Sequence, residues 1–162
     1  MLSLHESVAI YNQSYNRADA AYQARRRAIP LFRRARSHAA QRRIWSVLTG
    51  RRNALRDLSA VTGEVEVKAR HHLGVHHVPI ARIQGSEGRS RDFDSAFFPT
   101  STHNEERWLG IAAAQLQDLP LPPVDLIQVG DNYYVRDGHH RISVARSFGQ
   151  KEIEAQVTLW EV

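Results

Sequence analysis

The chain contains no cysteine, and of its 22 lysines and arginines only Lys68 and Lys151 are lysines. Without cysteine there are no disulfides, no thiolate metal sites and no cysteine nucleophile. The sequence also lacks an uninterrupted apolar run of membrane-spanning length, and its N-terminus has no signal-peptide pattern. These absences predict a cytoplasmic protein that does not interact with a membrane.

Acidic residues are scarce in the first half of the chain. Residues 1–77 hold 14 Lys and Arg against 5 Asp and Glu, whereas residues 78–162 hold 8 against 12. The charge balance is therefore +9 in the first half and −4 in the second. Such an asymmetry indicates a polyanionic partner for the basic half, or docking of one half on the other.

The first 63 residues are predicted to form a helical basic arm, and residues 64–162 a separate small domain. A first helix covers residues 4–28, and Pro30 should break it because proline is not tolerated inside a helix. A second helix follows over residues 31–48, and a short third one over residues 51–61. The second helix has a broad apolar face formed by Phe32, Ala35, Ala39, Ala40, Ile44, Val47 and Leu48.

The arginines of this arm have three possible roles. They can form solvated helix faces, contact nucleic-acid phosphates, or pair with an acidic surface of the second half or of another subunit in a homodimer. If the partner is DNA, the candidate contacts are Arg33, Arg34, Arg42 and Arg43.

Two pairs of histidines lie in a stretch that is predicted to be extended, with a turn at Gly74. The four residues are His71, His72, His76 and His77. No acidic residue or cysteine lies among them, and a strand would direct neighbouring imidazoles to opposite faces. The pattern therefore favours a polar loop or hairpin over a metal site.

The second half alternates strands and helices. A polar, glycine-containing loop over residues 84–94 follows a strand, where binding residues often lie. Residues 102–105 form a capping-box pattern that should open a helix ending near Gln117. An apolar strand is predicted over residues 124–129. A tight turn connects it to the stretch that holds most of the candidate ligand-binding side chains.

That stretch, residues 133–146, predicts a strand that runs through a glycine turn directly into a helix. A helix N-terminus presents unpaired N–H groups and a partial positive charge, so it can bind an anion. Gly138 allows close approach of the backbone, and Arg141 can donate two hydrogen bonds to a phosphate or carboxylate.

The sequence Asp137-Gly138-His139-His140-Arg141 resembles the signature of the ParB/sulfiredoxin superfamily. In that family a Gly-x-x-Arg or Gly-x-His-Arg turn between a strand and a helix binds nucleotide phosphate. The resemblance covers residues 78–157. It implies an α/β (α+β) fold with a small mixed sheet and flanking helices, here preceded by the α-helical arm.

The resemblance implies two functions, and it leaves open whether the protein is an enzyme. The first is a ParB-like nucleotide-binding domain of a DNA-associated protein, with ADP, ATP or CTP as the ligand. Its phosphates would contact Gly138, His140 and Arg141, and the opposite wall would be formed by Ser86, Arg89 and Arg91. ParB proteins usually have Glu-Arg-Arg after the glycine, where this chain has His-His-Arg.

The alternative is a phosphotransferase similar to the free-serine kinases, which share the complete Asp-Gly-His-His-Arg string. There Glu87 would be the general base, Asp137 would hold Mg²⁺ or orient the nucleophile, and His139 would help to neutralise the phosphates. A nucleotide hydrolase or nuclease with the same three residues around a metal is a weaker interpretation. Sulfiredoxin chemistry is excluded, because it needs a cysteine at the position of His139. A non-catalytic domain whose arm mediates dimerisation also remains open.

Overall fold

The computed structural model describes residues 4–63, 66–88 and 91–162. The elements are α1 (Leu4–Thr49), β1 (Arg56–Asp57), α2 (Leu58–Thr62), β2 (Ala69–Pro79), a 3₁₀ turn (Ile80–Arg82), β3 (Ile83–Ser86), α3 (Glu105–Leu116), β4 (Val124–Val129), β5 (Asn132–Asp137), α4 (His139–Ser147) and β6 (Glu152–Glu161). None of the helices in these described ranges has both the length and the hydropathy needed to cross a membrane.

The six strands form one mixed sheet in the order β1-β3-β5-β4-β6-β2. The pairs β1/β3, β3/β5 and β4/β6 are parallel, whereas β4/β5 and β2/β6 are antiparallel. The predicted fold class, a small mixed sheet with flanking helices preceded by a helical segment, is confirmed. Because β3 and β5 are parallel neighbours, the loops that follow them lie side by side at one edge of the sheet.

Both faces of the sheet carry buried side chains, because side chains of adjacent strand residues point to opposite faces. Leu126 and Val135 pack with Ile142 of α4 on one face, whereas Ile127 and Tyr134 pack in a different cluster on the other. A third cluster joins α1, α3 and α4. In it the rings of Phe32 and Trp108 are 5.3 Å apart, and the Trp108 indole donates a hydrogen bond to Ser143 Oγ at 3.0 Å.

The predicted break at Pro30 is wrong, because α1 continues from Leu4 through Pro30 to Thr49. An interior proline costs a helix about 3 kcal/mol. The buried side chains around it, Ala28 and Phe32, pack against α3 and can offset that cost. The predicted domain boundary at residue 63 stays a prediction, although β1, which precedes it, is an edge strand of the sheet.

The predicted third helix is also different in the structure. Residues 51–55 are irregular, β1 follows, and α2 begins only at Leu58. The Asp57 side chain accepts a hydrogen bond from Ser59 N at 3.0 Å, which places the helix start there. A carboxylate cap can favour a helix start at one residue over an earlier start. Hydrophobic periodicity alone does not predict which of the two starts is adopted.

Only part of the predicted apolar face of α1 is buried. Phe32, Ala35 and Ala39 are in the interior, whereas Ala40, Ile44, Val47 and Leu48 are exposed. Helix α3 has 12 residues against 46 in α1, so it is about 18 Å long and can cover only about a quarter of its partner. The end of α1 therefore extends beyond its partner helix.

The predicted turn at Gly74 and the loop or hairpin around the histidines are wrong. Strand β2 is continuous and pairs with β6, with an irregular register between His72 and Gly74. The ten residues of β6 pair with β2 on both sides of Gly74. The left-handed Gly74 (φ +85°) therefore forms a bulge within the strand and not a turn. His71 and His77 lie 3.3 and 3.7 Å from glutamate oxygens of β6.

The predicted helix near residue 102 is confirmed, but its capping box is not formed. Helix α3 begins at Glu105 after Asn104, and no side chain caps it. The Glu105 backbone N–H donates to the Thr102 carbonyl at 3.0 Å, so a backbone turn precedes the helix. Trp108 and Ala112 form its buried face.

Candidate functional site

The β5–α4 turn has the predicted strand–glycine–helix geometry. Gly138 precedes α4 with φ +102° and ψ +18°, and no side chain caps the helix there. A Cβ at this position would lie 2.5 Å from Val124 Cγ1. Glycine is thus required at this position for two reasons, the left-handed backbone and the close approach of β4.

The loop after β3 lies directly beside this turn. Ser86 Oγ is fully buried and hydrogen-bonds His139 Nε2 at 2.6 Å. The Glu87 backbone N–H donates to the Val135 carbonyl at 2.9 Å, and Gly88 N donates to Ser86 Oγ at 3.0 Å. The structure therefore brings together the two segments that the sequence proposed as opposite walls of a site.

The two histidines of the motif are buried around Phe93. The Phe93 ring stacks on His139, with ring centroids 5.9 Å apart. It also makes a T-shaped contact with His140, with ring centroids 5.1 Å apart. Both imidazoles are at most 5% exposed. A ligand outside the turn would therefore meet the backbone N–H groups of α4 before it met these rings.

Arg141 contacts the segment before β4. Its Nη1 donates to the carbonyls of Pro122 and Pro123 at 2.7 and 2.8 Å, and its Nη2 donates to Asp137 Oδ2 at 2.6 Å. This guanidinium therefore fastens the start of α4 to the linker that follows α3. A phosphate would have to compete with the Asp137 carboxylate for Nη2.

Glu87 is also engaged in an ion pair. Its Oε2 accepts a hydrogen bond from Arg136 Nε at 3.0 Å, and Arg136 Nη1 lies 4.0 Å from Asp125 Oδ2. As a general base, Glu87 would have to be released from Arg136, because the Arg136 Nε–H donates to the oxygen that would accept the proton.

The remaining predicted ligands are Arg89, Arg91 and Asp137. Arg91 is exposed in the loop after β3, whereas Arg89 lies outside the described residues. Across the described ranges, no three His, Cys, Asp or Glu side chains are close enough to hold a metal ion. Asp137, the predicted Mg²⁺ ligand, instead pairs with Arg141. The described residues do not fit a magnesium site made of protein ligands alone.

One polar centre near the β5–α4 turn was not among the residues predicted from the sequence. The carboxylate of Asp94, 1% exposed, accepts hydrogen bonds from Arg42 Nε at 2.9 Å, Ala96 N at 2.8 Å and Phe98 N at 2.9 Å. These bonds hold Phe97 in a left-handed conformation (φ +61°). An aspartate followed by small residues is typical of such turns, and that signal could have identified it.

Arg146 lies close to the same carboxylate. Burial lowers the pKa of its guanidinium, Asp94 opposes the decrease, and Arg42 adds to it. Its Nη2 donates to the Ile80 carbonyl at 3.0 Å, and its guanidinium carbon lies 5.7 Å from the centre of the Phe97 ring. Asp94 thus offsets the positive charge of two arginines from different helices.

The end of α1 and the segment after it carry the densest charge of the chain. Residues 20–56 contain 11 arginines and no aspartate or glutamate. Arg25 pairs with Glu106, and Arg42 with Asp94. The other exposed arginines of residues 26–52 form what we call the arginine surface: Arg26, Arg27, Arg33, Arg34, Arg36, Arg43, Arg51 and Arg52. Of the four predicted DNA contacts, three belong to it and Arg42 does not.

Comparison with known proteins identified no family for the chain. No protein-family model matches it, and no curated protein sequence does. Among solved structures, a sulfiredoxin from Arabidopsis thaliana matches with 19% sequence identity and a TM-score of 0.40. That match covers 51% of this chain and 82% of the sulfiredoxin chain. At this identity the likeness concerns the fold alone, and at this TM-score it carries no argument about the site.

Proposed function

We propose that the protein binds nucleic acid, with DNA as the first ligand to test, through the arginine surface. The observation that carries this proposal is the run of 11 arginines without one acidic residue over residues 20–56. Arginine donates bidentate hydrogen bonds to phosphate and remains charged at any physiological pH.

The spacing of the arginine surface supports a repeating ligand. Arg26 and Arg33, Arg27 and Arg34, and Arg36 and Arg43 are each seven residues apart. Seven residues are close to two helical turns, so the members of each pair lie on the same side of α1, about 10 Å apart along its axis. The two guanidinium groups of each pair can therefore contact successive parts of one extended phosphate backbone.

The test is a triple substitution of Arg33, Arg34 and Arg43 by alanine. All three side chains are exposed, so the fold should not change. Each lost phosphate contact should reduce the slope of log affinity against log salt by about 0.9, and the affinity at about 0.15 M salt should fall by about 100-fold in total. Fluorescence anisotropy with a labelled 20-base-pair duplex at several salt concentrations measures both quantities.

The matched control replaces Arg17, Arg82 and Arg107, which are exposed and lie outside the arginine surface. It changes the net charge equally and should retain most of the affinity. Equal losses in the two triple variants would show that only the net charge matters, and the proposed surface would be wrong.

A second candidate function is nucleotide binding at the Gly138 turn. It is supported by the left-handed glycine before α4, the absence of a side-chain cap and the adjacent Glu87–Gly88 loop. The N–H groups of the first turn of α4 would bind the phosphates. Arg141 would contribute by exchanging its bond to Asp137 for one to phosphate.

We expect ADP, ATP or CTP, with or without Mg²⁺, to raise the melting temperature of the wild-type protein by mass action. The shift should disappear in Arg141→Ala, with each protein compared with its own ligand-free melting temperature, because this arginine also contributes to stability. Glu87→Gln separates binding from catalysis: a phosphotransferase would lose turnover and keep the shift. No shift with any nucleotide would exclude the second candidate.

A further inference from the structure

A cleft lies where α1 ends and the chain reverses. Gly50, with φ +66°, ends the helix, and residues 51–55 lead from there to β1. The space between has a volume of about 420 Å³ and is lined by Gln41, Arg42, Trp45, Arg51, Arg52 and Asn53. This volume is within the range of clefts that bind small organic groups.

Hydrogen bonds hold one wall of the cleft in place. Arg42 Nη2 donates to Ser95 Oγ at 2.9 Å, and Ser95 Oγ donates to Asn53 Oδ1 at 2.9 Å. Together with the Arg42–Asp94 pair, these bonds connect α1, the segment after it and the loop around Asp94. The opening therefore has a defined shape.

Trp45 is an unusual residue for an exposed position. Its side chain is 63% exposed, whereas Trp108 is 0% and Trp160 is 8% exposed. A large apolar ring in water contributes little to folding, and indole rings are well suited to stacking on flat ligands. Three of the residues around it are arginines, so the ligand that complements this cleft is both planar and anionic.

We propose that the cleft binds an unpaired base of single-stranded nucleic acid, stacked on Trp45, with Arg51 and Arg52 contacting the phosphates on either side. This inference rests on the proposed function and specifies its substrate class. In a duplex the bases are paired and stacked on each other, so their faces cannot reach the indole, whereas an unpaired base can turn outward.

The cleft is continuous with the arginine surface, to which Arg51 and Arg52 also belong. A strand whose base occupies the cleft can therefore extend along α1 toward Arg34 and Arg27, which precede Trp45 by 11 and 18 residues and so lie on nearly the same face of the helix. This continuity favours an oligonucleotide over a free nucleotide, because the oligonucleotide adds phosphate contacts that a mononucleotide lacks. A second copy of this chain is a poorer occupant, since its arginine surface would carry the same charge.

The test uses tryptophan fluorescence of the complete chain, because Trp45 is the exposed tryptophan of the three. A single-stranded thymidine oligonucleotide of about 15 nucleotides should quench the emission. A duplex of equal length should bind through the arginine surface without quenching, and thymidine monophosphate should have no effect at the same phosphate concentration.

Substitution of Trp45 supplies the second readout. Trp45→Ala should lower the affinity for the single strand by about 10-fold to 100-fold and leave duplex affinity unchanged, whereas Trp45→Phe should retain most of the single-strand affinity because it keeps a ring. Since the side chain is exposed, the melting temperature should not change, and its measurement verifies folding.

The other outcomes separate this inference from the function on which it rests. If single strand and duplex bind equally and Trp45→Ala has no effect, the cleft proposal is overturned and nucleic-acid binding stands. Binding of neither ligand overturns both. Quenching by the mononucleotide alone would assign the cleft to a free nucleotide. An emission change with protein concentration in the absence of nucleic acid would assign it to a second copy of the chain. Either result also overturns the proposal.

Discussion

Gly138→Ala should lower the free energy of unfolding by about 2–5 kcal/mol, from left-handed backbone strain and a steric clash together. The alanine Cβ would meet Val124 Cγ1 at 2.5 Å and Val124 Cβ at 2.7 Å. Neither the backbone of β5 nor that of β4 can move easily, because the two strands pair with each other. Urea unfolding followed by circular dichroism measures the loss.

Gly74→Ala isolates the contribution of the backbone. Gly74 has a similar φ of +85°, but nothing lies within 4 Å of a Cβ there, so only the strain of about 1–2 kcal/mol should be seen. In the double variant Gly138→Ala with Val124→Ala, the smaller side chain should restore part of the loss. Equal losses at Gly74 and Gly138 would show that the contact with Val124 is unimportant.

Asp94→Ala should cost about 2–4 kcal/mol, since it leaves buried donors and a positive charge without their acceptor. The lost bonds would be those from Arg42 Nε, Ala96 N and Phe98 N. The cost should be smaller than that of breaking a fully buried ion pair, because the Arg42 side chain is 45% exposed. Thermal or urea unfolding measures the cost.

Two variants identify which part of the Asp94 interaction matters. Asp94→Asn keeps an oxygen acceptor for the two backbone N–H groups and removes the charge near Arg42 and Arg146, so its cost should be intermediate. Asp92→Ala makes the same charge change in the same loop, and no ion pair in the described part of the chain involves its carboxylate, so it should cost less than about 1 kcal/mol. A loss in Asp92→Ala as large as in Asp94→Ala would contradict this account.

The Asp94 variants also bear on the cleft. Arg42 is positioned by Asp94 and Ser95 and lines the wall next to Trp45. Asp94→Ala should therefore weaken binding of the single-stranded oligonucleotide beyond what its lower stability explains. The measurement is made at a temperature where both proteins are fully folded.

Several elements of the second half of the chain follow from local sequence patterns. Strands β4 and β5, helix α4 and the glycine turn between β5 and α4 lie where hydrophobic periodicity and turn residues predicted them. The reason is that a glycine turn and the apolar pattern of a strand act over a few neighbouring residues. The arginine-rich, acid-free stretch is likewise a property of the sequence alone.

Tertiary structure decided everything that depends on a partner distant in the chain. Pro30 lies inside α1 because the side chains around it pack on α3, and Gly74 forms a bulge because β6 provides a continuous partner. The roles of charged residues were decided in the same way. Arg141 and Glu87 were predicted to face a ligand, and the structure pairs them with Asp137 and Arg136.

The Trp45 cleft shows the same division most clearly. The sequence places the ring of Trp45 on a predicted helix. The hydrophobic pattern of that helix is equally compatible with a buried and with an exposed ring. Its exposure follows from the lengths of two helices, since α1 extends beyond α3, and the cleft follows from a reversal of the chain at Gly50. Hydrophobic burial depends on which elements meet in space, and no local sequence pattern contains that information.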